Sequence, residues 1–84
     1  MKYTVILSSQ AERSYKKLED KIKGQVRDCL IGLEEEAYSG KRLHGDLKGN
    51  FSFRIGKTRI IYTVSEKDKT VNVISMGGRN TIYQ

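Results

Sequence analysis

Arg54, Arg59, Arg79 and Tyr83 are the side chains of this sequence best suited to chemistry, because three guanidinium groups fall where a sheet ordinarily takes something apolar or uncharged. Asn50 to Ile55 alternates Phe51, Phe53 and Ile55 against Ser52 and Arg54, a period-two pattern with one apolar face. Thr58 to Ser65 sets Ile60, Tyr62 and Val64 against Arg59, Ile61 and Thr63. With Gly56-Lys57 as a two-residue hairpin loop, Ile55 lies opposite Thr58, Arg54 opposite Arg59, Phe53 opposite Ile60 and Phe51 opposite Tyr62. Like charges directly opposite each other destabilise a sheet by a few tenths to about 1 kcal/mol, so the fold gains nothing from the arginine pair. A four-residue loop at Glu66-Lys67-Asp68-Lys69 returns the chain as Thr70 to Met76, with Val71 on Val64, Val73 on Tyr62 and Met76 level with Arg59. Arg79 then leaves the sheet near the same end, with Tyr83 close behind.

One arginine on a solvent-facing strand usually does no more than keep a sheet edge soluble. Three aimed at one spot are a different matter. After residue 40 the only acids are Asp46, Glu66 and Asp68, and the last two sit in a turn at the far end of the hairpin. A cation cluster without neighbouring carboxylates suits an anion, and the planar five-donor fork of arginine suits phosphate best. The net charge of +6 sits wholly in residues 41–84, since residues 1–40 balance. A basic half-molecule attracts nucleic acid, an acidic membrane or an acidic protein.

The scaffold beneath these residues is set by the rest of the pattern. Tyr3 to Leu7 is a short β-rich run, and Ser9-Gln10-Ala11-Glu12 matches a capping box that starts a helix at Ser9. Ala11, Tyr15 and Leu18 continue it. After a break near Asp20, a second helix carries Ile22, Val26, Cys29, Leu30, Leu33 and Ala37 on one stripe and ends at Ser39-Gly40. Residues 41–49 have the glycines and charges of a loop, with Leu43 and Leu47 turned inward. The expected architecture is α+β in the order β-α-α-β-β-β, two N-terminal helices packed on one face of a small twisted, mainly antiparallel sheet. The 84 residues are read as one domain, 1–84, with a core small enough for a bound partner to add stability. No apolar run is long enough to span a bilayer or serve as a signal peptide, so a cytoplasmic protein without a membrane partner is expected. Cys29, the one cysteine, reads as a small core residue.

RLHG followed by FSFRIG, KTRIIYTV, VNVISMGGR and a terminal IY resembles the RelE branch of the RelE/ParE toxin superfamily over nearly the whole chain. The resemblance implies a type II toxin of RelE-like fold: a ribosome-dependent endoribonuclease, an mRNA interferase that inhibits translation by cutting mRNA in the A site and is held inactive by a cognate antitoxin. It carries catalytic roles onto Arg54, Arg59, Arg79 and Tyr83; the neighbouring Lys41, Arg42, His44, Lys48 and Lys57 are read as flanking RNA contacts. The family's fullest catalytic form has a second basic residue two positions before Arg54, where this chain has Ser52. Lys48 or Lys57 is a candidate substitute.

Cutting RNA without metal requires a base for the 2′-hydroxyl, charge stabilisation for a phosphorane-like dianion and an acid for the 5′-oxygen. His44 alone rules out a histidine pair, and one His, one Cys and scattered carboxylates supply no metal-ligand cluster, so no cofactor is expected. A cationic site remains, with arginines on the scissile phosphate and Tyr83 stacking on a base or orienting the nucleophile. His44 reads first as a solvated loop residue and second as a proton carrier or stacking platform. The alternative function is a ParE-like, non-catalytic inhibitor of DNA gyrase, and a third is a plain binder of structured RNA; one scaffold serves each.

Overall fold

The computed structural model describes residues 2–43 and 49–78. Seven elements follow one another: β1 (Thr4–Leu7), α1 (Ser9–Lys16), α2 (Asp20–Glu35), β2 (Lys41–Arg42), β3 (Phe51–Ile55), β4 (Thr58–Ser65) and β5 (Thr70–Gly78). The strands form one sheet in the order β1-β5-β4-β3-β2, with β1 parallel to β5 and every other pair antiparallel. Both helices cover one face, which is the expected α+β architecture.

The core lies between that face and the helices. Ala11, Val26 and Leu33 meet Ile60, Tyr62, Val71, Val73 and Met76, all buried, with Tyr15, Ile22, Cys29 and Leu30 packed partly against them. The helical stripe read from the sequence is therefore the buried one. Its last member lies outside the helix: α2 ends at Glu35, Glu36 is the cap, and Ala37 is buried in the turn beyond it. Ser39 holds this turn by donating its hydroxyl and its amide to the carbonyl of Glu36.

Helix α1 starts at Ser9 as expected, but the cap is Ser8, whose hydroxyl accepts from the Ala11 amide at 3.0 Å. The expected Ser9–Glu12 box is thus shifted by one residue, and Glu12 instead lies 3.9 Å from Lys16 along the exposed helix face. Ser8 also donates its hydroxyl to the Ile74 carbonyl at 2.6 Å, and its amide to the Val73 carbonyl.

The Ile74 carbonyl belongs to a β-bulge. The β3–β4 register is the one the two-residue loop dictates, from Ile55 opposite Thr58 to Phe51 opposite Tyr62. Gly56 sits at φ +59 in the first loop position, the positive φ that the primed hairpin turns require. The β4–β5 register also begins as expected, with Val64 opposite Val71 and Tyr62 opposite Val73, and then shifts between Ile61 and Tyr62. Ile74 is the extra residue, so Met76 pairs with Ile60 rather than standing level with Arg59. Beyond a bulge the two faces of the strand are exchanged. Here the exchange buries Met76 in the core and leaves Ile74 at the surface. The expected loop at 41–49 is corrected too, since Lys41 and Arg42 form an edge strand against Ser52 and Phe51. Among the described residues no helix is long and apolar enough to cross a membrane.

Candidate nucleic-acid interface

The sheet face turned away from the helices is built from two rows of directly opposed residues. Arg54, Arg59 and Gly77 form one row across β3, β4 and β5. Lys41, Ser52, Ile61 and Ser75 form the next, across β2 to β5. Arg54 is exposed and Arg59 half-buried. Gly77, at φ +152, puts no side chain beside Arg59, so bare backbone forms the floor on that flank and a ligand can approach it closely.

The face is less open than its alternation suggests. Ile61 shares it with the arginines, yet is 3% exposed, and Ser75 opposite is also buried. The two arginines are direct cross-strand neighbours, as the hairpin loop requires.

Lys41 projects to this face, because it lies directly opposite Ser52. Arg42, next along the chain, goes to the other face, where its guanidinium sits 5.6 Å from the centroid of Phe51 at the margin of the core. Lys57 is exposed in the β3–β4 turn, beside the arginine row. Arg79 directly follows the last residue of β5. Arg79, Tyr83, His44 and Lys48 lie outside the described residues.

Sequence reasoning missed Gly77, and it named Lys41 without its place in the sheet. Gly77 carries no chemistry of its own and becomes informative only through its register with Arg59. The position of Lys41 depends on a contact that sequence periodicity does not express: the Gly40 amide donates to the hydroxyl of the fully buried Tyr62 at 2.9 Å, which anchors the start of β2. Burial pushes the Tyr62 hydroxyl pKa up, with the Gly40 bond acting in the opposite direction.

A second polar cluster lies at the far end of the sheet. Glu66 accepts from Lys69 at 2.7 Å, from Tyr3 at 2.5 Å and from Tyr38. Lys69, then the two hydroxyls, hold the Glu66 carboxyl down at about 2, while the same carboxylate pushes Tyr38 up to about 12. The cluster ties the residue before β1, the α2–β2 turn and the β4–β5 turn together. Cys29 is half-buried on α2, and its burial raises the thiol pKa, which makes it a poor nucleophile. Among the described residues no three His, Cys, Asp or Glu side chains lie together as a metal would require.

A two-helix layer on one face of a five-stranded mixed sheet, with cations paired across the other, defines a small α+β domain suited to a polyanion. The chain belongs to the ParE-like toxins of type II bacterial toxin–antitoxin systems, within the RelE/ParE superfamily, whose family model matches residues 5–84. It is 33% identical to the toxin RelG of Mycobacterium tuberculosis over 100% of this chain and 99% of that protein. It is similar to a chain of the toxin–antitoxin complex RelBE2 of Mycobacterium tuberculosis, with a TM-score of 0.85 and 31% identity over 94% of this chain and 100% of that one. The isolated RelE toxin of E. coli, 22% identical, shares the fold with a TM-score of 0.80 over 96% of this chain and 90% of that one.

Proposed function

We propose that this toxin is a ribosome-dependent endoribonuclease that stops translation by cutting mRNA in the ribosomal A site without a metal ion. The observation that carries the proposal is the direct pairing of Arg54 with Arg59 across the hairpin, next to the bare backbone of Gly77. In the reaction the 2′-oxygen loses its proton and bonds to phosphorus, and the bond from phosphorus to the 5′-oxygen breaks as that oxygen gains a proton. The products are a 2′,3′-cyclic phosphate and a 5′-hydroxyl. Arg54, Arg59 and Arg79 hold the scissile phosphate and its developing dianion. Each such donor contributes about 3–4 kcal/mol when it is preorganised in a site that excludes water. Tyr83 stacks on a base or orients the nucleophile, and the ribosome holds the 2′-oxygen in line.

Lys41 and Lys57 flank the row as RNA contacts, and Lys48 and His44 are assigned the same role; Arg42, on the opposite face, stands apart from the row. One domain, 1–84, carries the site and works in the cytoplasm beside a cognate antitoxin. The antitoxin segment orders as it binds, laying acids on the basic face, and its affinity falls with salt. The test is addition of the purified chain to ribosomes programmed with a defined mRNA. Cleavage confined to the A-site codon, lost in Arg54→Gln, is expected. Intact mRNA under conditions where the chain still stops growth would overturn the proposal in favour of a gyrase inhibitor.

A further inference from the structure

We infer that Lys41 adds a further cation to this face and holds the phosphate next to the one gripped by Arg54 and Arg59, an inference that rests on reading the face as an RNA site. Three observations fix where its ammonium can go. Lys41 is directly opposite Ser52, so their Cβ atoms share one face and lie about 4.5–5.5 Å apart. Arg54, two residues further along β3, is then its diagonal neighbour at about 7–8 Å, within reach of a four-carbon stem. Arg42 lies over the Phe51 ring on the core side, and strand alternation therefore commits Lys41 to the arginine side. Backbone contacts clamp the two-residue strand at both ends: Gly40 donates to the Tyr62 hydroxyl, and the Leu43 amide to the Asn50 carbonyl at 2.9 Å.

The geometry favours a polyanion over a single ion. The arginines stand in one row and Lys41 in the next, one strand further out, so the three charges run obliquely across the ladder. Ser52 between them is short and leaves that path uncovered. Adjacent phosphates of an extended strand repel, and each is best matched by its own cation. Lysine, a mobile and strongly hydrated point charge, suits a phosphate that is merely held, while the arginine fork suits the one whose geometry changes.

The test measures binding of a single-stranded RNA with 2′-O-methyl groups throughout, which lacks the nucleophile, to the full chain over a salt series. Each phosphate contact on a single strand adds about 0.7 to the slope of log K against log salt. Lys41→Ala is expected to weaken binding and lower that slope by about 0.7. Adding Ser52→Lys to the variant restores it, because position 52 returns an ammonium to the same face, and Arg42→Ala leaves the slope unchanged. Thermal unfolding checks that each variant folds. A wild-type slope in Lys41→Ala, or no recovery in the folded double variant, overturns the role of Lys41 and leaves the arginine site standing. A wild-type chain that ignores this RNA even at low salt overturns both.

Discussion

Gly40→Ala tests the contact that seats β2 against the sheet. A Cβ built on Gly40 overlaps the Tyr62 hydroxyl more closely than real Cβ atoms approach any heavy atom, and lies 3.0 Å from both the Ser52 carbonyl oxygen and Tyr62 Cε1. The constraint is space, since the backbone there has no positive φ. Tyr62 cannot give way easily: it is fully buried, and its ring stacks on Phe51 at 5.4 Å and on Phe53 at 6.2 Å between centroids. Overpacking of this kind costs about 1–3 kcal/mol. Loss of the hydrogen bond from the Gly40 amide adds about 1 kcal/mol. The sum, about 2–4 kcal/mol, corresponds to a fall in Tm of roughly 10–25 °C for a domain of this size. Thermal unfolding of Gly40→Ala, Tyr62→Phe and the double variant gives the coupling. Removing the hydroxyl takes away the worst overlap, so Gly40→Ala costs much less in the Tyr62→Phe background. An equal cost in both backgrounds, or a Tm within about 2 °C of wild type, would show that the Tyr62 hydroxyl does not limit the space at Gly40.

Arg54→Gln is expected to leave stability unchanged or raise it by up to about 1 kcal/mol, because it relieves repulsion with Arg59, while cleavage of ribosome-bound mRNA falls by about a hundredfold or more. A variant that melts early yet cuts normally would make Arg54 architectural. Leu33→Ala, at a fully buried core position, should do the opposite, costing about 2–5 kcal/mol with activity per folded molecule retained. Ser8→Ala removes the α1 cap and the bond to the Ile74 carbonyl, and chemical denaturation should register a loss of about 1–2 kcal/mol. Glu66, with its carboxyl held at about 2 against an ordinary 4.5, stabilises the fold above about pH 4.5 and loses that contribution as the pH falls toward 2. Glu66→Gln should flatten acid unfolding in that window; parallel pH profiles for variant and wild type would show that the cluster contributes nothing.

The β3–β4 hairpin was legible because a glycine-led two-residue loop and strict alternation leave one register, and that register alone pairs Arg54 with Arg59. The bulge was legible in principle. In Val71-Asn72-Val73-Ile74-Ser75-Met76 the apolar positions switch from odd to even, and that change of phase marks an inserted residue. Reading the strand as unbroken put Met76 one pair too far along. Two charged residues cannot display a strand period, so β2 stayed hidden, and with it the place of Lys41. Adjacent serines at 8 and 9 offer the same capping chemistry, and only the Ser8 contacts with β5 decide between them. Ile61 shares its face with the arginines by periodicity, yet its burial depends on tertiary packing, which periodicity does not report.

Primer extension on mRNA from cells expressing this chain, with Arg54→Gln alongside, separates a ribonuclease from every other reading of the basic face. Expression of the wild-type chain should arrest translation and leave cuts within codons of messages that ribosomes occupy, and the variant should leave those messages whole. Uncut mRNA and continued protein synthesis, accompanied by double-strand breaks in DNA, would contradict a ribonuclease and point to gyrase as the target.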